Sequence, residues 1–157
     1  PSTARLRREL RVPVATGENL FGMTQFAELF DQDAVDIIQP DLLVCGGLLE
    51  GRKIAAMAET NYVTVAPHNP LGLLSTALGV HYAASINNFT ILEYHGDHKR
   101  ERAKFVDEMW APVGGYFELP TKPGLGMELN LEEISAHPPR HWNRGFRTYA
   151  DGAPAFL

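Results

Sequence analysis

The sequence of 157 residues predicts an α/β fold in which parallel strands alternate with helices. Short β-branched runs alternate with segments whose apolar residues recur every three or four positions, the spacing of one helix face. The predicted strands end at Glu18, Asp41, His68 and Glu93, which lie 23, 27 and 25 residues apart. Repeats of this length are typical of compact βα units in a closed barrel.

The predicted elements follow one another in a regular order. Four short apolar runs are predicted strands: 12–15, 35–41, 63–67 and 90–93. Four amphipathic segments are predicted helices: 4–10, 23–30, 48–60 and 73–85. Each helix returns the chain to the edge where the previous strand began, so we expect neighbouring strands to run parallel.

A doubly wound open sheet is the alternative architecture. Such sheets normally carry a glycine-rich phosphate turn, G-x-G-x-x-G, after a strand. Gly46 and Gly47 are the nearest match, and they lack that spacing. The pattern therefore favours part of a barrel.

Residues 98–157 differ in kind, because they are rich in proline, contain both tryptophans and keep no helical spacing. We expect an irregular C-terminal segment in which 116–120 and 126–129 pair as short strands. The predicted division is therefore 1–97 for the barrel part and 98–157 for an extension. Because the chain opens inside an apparent helix end, we expect this sequence to be part of a longer fold.

The bulk composition excludes several classes of partner. A formal charge of −5 argues against nucleic acid or an anionic membrane as a partner. No apolar run approaches the roughly 18 residues of a membrane span. Cys45 is the only cysteine, so a reducing, cytoplasmic location is predicted.

Four titratable residues, Glu18, Asp41, His68 and Glu93, stand where consecutive predicted strands end. In a parallel barrel these ends open on one face, which is where the chemistry takes place. An ionised group beside an apolar core loses hydration unless it is paired or bound to a metal. The four residues together therefore indicate an active site.

The residue types fit one reaction. The Glu18 carboxylate suits a hard cation such as Mg²⁺, and His68 suits proton transfer near neutral pH. Asp41 is expected to accept the second ring N–H of His68, and Glu93 to donate, as a protonated acid, to an oxyanion. These roles describe abstraction of a proton next to a carboxylate, which requires stabilisation of the resulting enediolate.

Five motifs in order resemble the enolase superfamily: TGE at 16–18, IIQPD at 37–41, CGGL at 45–48, APHNP at 66–70 and LE at 92–93. Residues 10–130 resemble the C-terminal half of its (β/α)7β TIM-like barrel. The resemblance is greatest to the mandelate racemase subgroup and its galactonate dehydratase-type enzymes. Mannonate dehydratase-like relatives carry Arg where this chain has Asp41, which argues against that branch.

The resemblance implies specific roles. Glu18 matches the third of three carboxylate metal ligands, and His68 matches the general base. Asp41 matches the partner of that base, and Glu93 matches the acid that hydrogen-bonds the substrate carboxylate. The resemblance also implies that the N-terminal capping domain and the first barrel half, with the other two metal ligands, are absent from this sequence. The C-terminal extension would pack toward that capping domain.

The leading hypothesis is a Mg²⁺-dependent hydro-lyase that dehydrates a sugar acid through an enediolate, as a homo-oligomer when complete. A racemase or epimerase of a 2-hydroxy acid is the first alternative, and a cycloisomerase the second. A hypothesis of another class is a non-catalytic fragment or interaction module, because Glu18 alone would hold a metal poorly.

The remaining polar residues carry weaker predictions. Asn69 is predicted to contact substrate, with a turn role as the alternative. A polar loop follows Glu93 and is interpreted as solvated, with a substrate contact as the alternative: Tyr94, His95, Asp97 and His98. Cys45 and His81 are interpreted as packing residues.

Overall fold

The centre of the molecule is a three-stranded parallel sheet. The structure is a computed structural model that describes residues 2–96, 100–139 and 149–151. Its strands are β1 (Ala15–Thr16), β2 (Ile37–Ile38) and β3 (Thr64–Val65), in the spatial order β1-β2-β3. Ala15 pairs with Ile37, which pairs with Thr64 on its other side. The predicted alternation of parallel neighbours is therefore confirmed.

Four helices accompany the sheet: α1 (Ser2–Glu9), α2 (Gly22–Asp31), α3 (Gly47–Thr60) and α4 (Leu73–Ala84). They match the four predicted helices to within a few residues at each end. The apolar faces of α2, α3 and α4 meet the sheet in one core, which includes Phe26, Ile38, Ile54, Val65 and Tyr82. Each of these five side chains has no exposed surface.

The backbone pairing continues past the strands toward the predicted site. The Gln39 N–H donates to the Thr16 carbonyl at 2.9 Å, and the Ala66 N–H donates to the Ile38 carbonyl at 2.9 Å. An isolated parallel bridge then joins Asp41 to His68. The register thus brings the carboxyl ends of two neighbouring strands level with each other.

The predicted fourth strand, 90–93, is not a regular strand. The chain instead joins β3 through one bridge, Val65 to Phe89, flanked by a hydrogen bond of 2.9 Å from the Thr90 N–H to the Val65 carbonyl. These contacts still place the segment beside β3. Glu93 consequently lies next to the residues that follow β3.

Within the described stretch 100–139, the C-terminal part forms two short helices, α5 (Arg100–Ala103) and α6 (Leu131–Ala136). The predicted pairing of 116–120 with 126–129 is wrong, since Tyr116 bridges to Val113 and Leu129 bridges to Val106. The glycines at 114 and 115 both have positive φ, so the chain turns back within two residues.

Helix α6 was not predicted, although it begins with a recognisable signal. The side chain of Asn130 accepts a hydrogen bond from the Glu133 N–H at 3.1 Å, as an N-cap does. The predicted domain division after residue 97 falls among residues outside the described ranges and stays a prediction. None of the helices in the described ranges has the length and apolar character needed to cross a membrane.

Candidate active site

His68 and Asp41 form a pair at the carboxyl end of the sheet. The Nδ1 atom of His68 lies 2.9 Å from Oδ2 of Asp41. Asp41 is buried, and its other oxygen accepts the Leu43 N–H at 2.8 Å, which fixes the carboxylate. An ionised carboxylate can only accept, so Nδ1 carries the hydrogen, and in the neutral form of the His68 ring the lone pair is on Nε2. The geometry matches a base held by a carboxylate.

Glu18 lies on the other side of the His68 ring. Its Oε2 atom is 3.3 Å from Nε2 of His68, and its side chain is 52% exposed. Gly17 precedes it with φ of 132°, and a Cβ there would lie 2.9 Å from the Phe26 ring. Only glycine fits this close turn. The turn carries the chain from β1 to a carboxylate that faces His68 and solvent.

Glu93 completes the group around His68. Its Oε2 atom accepts the Asn69 main-chain N–H at 2.9 Å and lies 3.9 Å from Nε2 of His68. Partial burial opposes ionisation of Glu93. The hydrogen bonds from Asn69 and His95, and the positive charge that His68 and His95 carry when protonated, outweigh it and hold the pKa of Glu93 below its usual value. This direction favours the ionised, hydrogen-bond-accepting form of Glu93 in the described structure, and its predicted role as a protonated donor stays a prediction.

Asn69 is placed differently from its prediction as a substrate-contacting residue. The side chain is buried, and its Nδ2 group donates to Thr76 Oγ1 at 3.0 Å and to the Glu93 carbonyl at 2.9 Å. These bonds occupy both amide hydrogens. Asn69 thus supports Glu93 instead of reaching toward a substrate, because its polar atoms are turned into the protein.

His95 lies beside Glu93, although the sequence interpretation favoured a solvated loop at this position. Its Nε2 atom lies 2.8 Å from Oε1 of Glu93, and its side chain is 52% exposed. The signal was present, because residues two apart in an extended segment point to the same side. The other polar residues of that loop that were named above, at 97 and 98, lie outside the described residues.

The described residues include one candidate ligand for a divalent cation. Across residues 2–96, 100–139 and 149–151 no group of three or more His, Cys, Asp or Glu is arranged to hold a metal ion. Glu18 nonetheless provides a half-exposed carboxylate, the hard oxygen donor that Mg²⁺ prefers, beside the proton-transfer group. The predicted role of Glu18 is thus chemically consistent, with further ligands required from elsewhere.

Two residues interpreted as packing residues do pack. Cys45 is buried, and desolvation raises the pKa of its thiol to about 11, so it is a poor nucleophile at neutral pH. His81 contacts the Leu125 carbonyl at 3.1 Å and lies beside Trp110.

The chain matches known proteins in both sequence and structure. The family model described as Enolase C-terminal domain-like matches residues 1–134. A D-xylonate dehydratase from Haloferax volcanii is 40% identical over 125 residues, which cover 80% of this chain and 30% of that protein. A D-galactonate dehydratase from Cronobacter sakazakii is 35% identical, covering 96% of this chain and 42% of that protein.

Two solved structures share the fold at substantial identity. An enolase from Agrobacterium radiobacter, bound to Na and L-malate, has a TM-score of 0.88 and 38% identity. The match covers 98% of this chain and 42% of the enolase chain. A mandelate racemase/muconate lactonizing enzyme from Sulfitobacter sp. has a TM-score of 0.82 and 34% identity. The match covers 91% of this chain and 35% of the Sulfitobacter chain.

The chain thus spans less than half the length of these relatives. The comparisons confirm the predicted α/β fold, which is that of the enolase C-terminal barrel, and agree with the parallel sheet described above. The chain belongs to the Enolase C-terminal domain-like family, among relatives of the mandelate racemase and sugar-acid dehydratase type.

Proposed function

We propose that the native protein is a hydro-lyase that removes water from a sugar acid, and that this chain supplies its general base. The observation that carries the proposal is the His68 ring, with Nδ1 on buried Asp41 and Nε2 between Glu18 and Glu93. The dehydratases among its relatives support the reaction class.

The proposed first step is removal of the α-proton of the sugar acid by Nε2 of His68. The electron pair of the C–H bond moves toward the substrate carboxylate and gives an enediolate. Asp41 stabilises the imidazolium that forms, because its carboxylate stays 2.9 Å from Nδ1. Asp41 therefore acts through His68 and keeps the ring oriented throughout the cycle.

A Mg²⁺ ion, for which Glu18 is the proposed ligand in this chain, would supply neutralisation of the charge that develops on the substrate carboxylate. Glu18 is suited to this task because it lies beside His68 and remains half-exposed. Glu93 lines the opposite side of the same space and is proposed to orient the substrate.

In the proposed second step the β-hydroxyl leaves as water. The proton taken by His68 is returned to the departing oxygen, and the electron pair of the enediolate forms the new carbon–carbon double bond. Protons and electrons balance over the two steps, since the substrate loses one hydrogen and one hydroxyl. The resulting enol then becomes a 2-keto acid.

A racemase or epimerase remains the second candidate, since one structural relative is a mandelate racemase/muconate lactonizing enzyme. The first step would be shared, and the proton would return to the α-carbon from the other side. Product analysis separates the two activities, because only a dehydratase forms a 2-keto acid. A homo-oligomeric, cytoplasmic enzyme without nucleic-acid or membrane partners remains the proposed setting.

The test is turnover of an aldonic and aldaric acid panel by the full native polypeptide with Mg²⁺, with 2-keto acid as the readout. His68→Asn is expected to lower kcat by at least about 10³-fold, because the base is lost. The circular dichroism spectrum should stay unchanged, because the asparagine side chain occupies much of the volume of the imidazole ring. His81→Asn, away from the site, is the matched control and should keep most of the activity. A His68→Asn variant that turns over normally would exclude the assigned base.

A further inference from the structure

The Glu93 carboxylate is held from two sides. On one side the Asn69 main-chain N–H lies 2.9 Å from Oε2, and on the other Nε2 of His95 lies 2.8 Å from Oε1. The hydrogen bond from the main chain is set by the loop after β3. The bond from His95 depends on a single exposed side chain, which substitution can change without disturbing the core.

The direction of the His95 hydrogen bond follows from the charge of its partner. Because an ionised carboxylate only accepts, Nε2 of His95 must carry the hydrogen. A bond of this kind between a ring N–H and a carboxylate is charge-assisted and strongly directional. It prevents rotation of the Glu93 carboxylate and keeps Oε2 on the side of His68, 3.9 Å from Nε2.

The electrostatics of the site give this bond a further consequence. Glu18, Asp41 and Glu93 place three carboxylates around one imidazole. A sugar acid would bring a fourth negative group, which the ionised Glu93 carboxylate would repel. An N–H donor on Oε1 draws negative charge away from the side that faces the substrate.

We propose that His95 is a positioning residue for the reaction, which holds Glu93 through an Nε2–H donor so that Oε2 faces His68 and the substrate. The kinetic consequence of this inference rests on the proposed function. The His95–Glu93 hydrogen bond itself is independent of that function. A neutral N–H donor at position 95 is sufficient to hold Glu93. The proposal therefore predicts different activities for a glutamine and for an apolar side chain at this position.

The kinetic test compares His95→Leu with His95→Gln in the full native polypeptide. His95→Leu is expected to lower kcat by about 10- to 100-fold with KM within about threefold, which is the scale of one charge-assisted hydrogen bond. His95→Gln should recover most of kcat, because its amide supplies the N–H. His137→Leu, another exposed histidine that contacts Lys104, is the matched control and should behave as wild type.

Two kinetic outcomes overturn the proposal. The first is a His95→Leu variant whose kcat stays within twofold of wild type. The second is an equal loss in the Leu and Gln variants, because a donor at position 95 would then be irrelevant. A purely structural role of His95 would lower thermal stability and leave the Leu and Gln variants equally impaired.

A second measurement keeps the inference separate from the proposed function. In protein labelled with ¹³C at the glutamate carboxyl, the Glu93 resonance is assigned by its absence in Glu93→Gln and followed with pH. Loss of the donor in His95→Leu should raise the pKa of Glu93, and His95→Gln should leave it near wild type. An unmoved resonance overturns the inference, whereas lack of sugar-acid turnover alone overturns only the proposed function.

Discussion

The βα part of the chain and its C-terminal part are held together differently. In the described residues every buried hydrophobic side chain lies between Ala4 and Tyr82, with the single exception of Val106. The region after residue 100 relies on isolated backbone bridges and exposed ion pairs, such as Lys104 with Glu133 at 3.0 Å. Exposed ion pairs contribute about 0–1 kcal/mol each, whereas burial of one large side chain contributes about 2–3 kcal/mol. The proposed catalytic residues lie on the first part, where burial fixes the backbone.

The largest expected effect comes from the same substitution made in a helix of each part. Ile54 in α3 has no exposed surface, and Ile134 in α6 is 39% exposed. Ile54→Ala should lower the free energy of unfolding by about 2–5 kcal/mol, because it leaves a cavity in the core. Ile134→Ala should cost about 1 kcal/mol or less. Urea denaturation of the native polypeptide measures both, and similar losses would contradict the contrast between the parts.

A second pair of variants compares two aspartates with matching partners. Asp36 accepts the Val14 N–H at 2.8 Å and pairs with Arg7 at 3.0 Å. Asp107 accepts the Glu128 N–H at 2.7 Å and pairs with Lys122 at 3.3 Å. In each case the main-chain N–H is the largest influence, and it lowers the pKa of the carboxyl.

The sign of the pH dependence follows from these lowered values. An aspartate whose pKa falls on folding stabilises the native state fully above its unfolded pKa of about 3.9, and this contribution is lost as pH falls through the lower folded pKa. Asp36→Asn should lower stability at pH 7 by about 1 kcal/mol and flatten the acid limb of stability against pH. Asp107→Asn should change the curve in the same direction but less, since solvent screens the more exposed pair. A larger effect at Asp107 would reverse the expected order.

The smallest expected effect is at the start of α6. Asn130→Ala removes the side-chain acceptor of the Glu133 N–H and should cost about 0.5–1 kcal/mol locally. Hydrogen exchange of the α6 amides should speed up while that of the α3 amides stays unchanged. Asn130→Asp, which keeps the acceptor, is the control. Faster exchange in α3 as well would mean that the C-terminal part stabilises the core.

The sequence predicted the βα part well and the C-terminal part poorly, for a physical reason. Helices α2, α3 and α4 bury one face against the sheet, so the burial pattern appears in the spacing of their apolar residues. The bridges from Val106 to Leu129 and from Val113 to Tyr116 use backbone groups, which leave little trace in side-chain hydrophobicity. Helix α6 did carry a local signal, the cap at Asn130, in a segment too short to show periodicity.

The sequence by itself determined which residues could do the chemistry and that they would meet. Titratable groups at successive ends of parallel strands must share a face, so the encounter of Glu18, Asp41 and His68 follows from the alternation of elements. Tertiary structure alone decided how each group is used. It turned Asn69 inward as a support for Glu93 and brought His95 to Oε1 of Glu93, since hydrogen-bond direction and burial depend on neighbours that lie far apart in the chain.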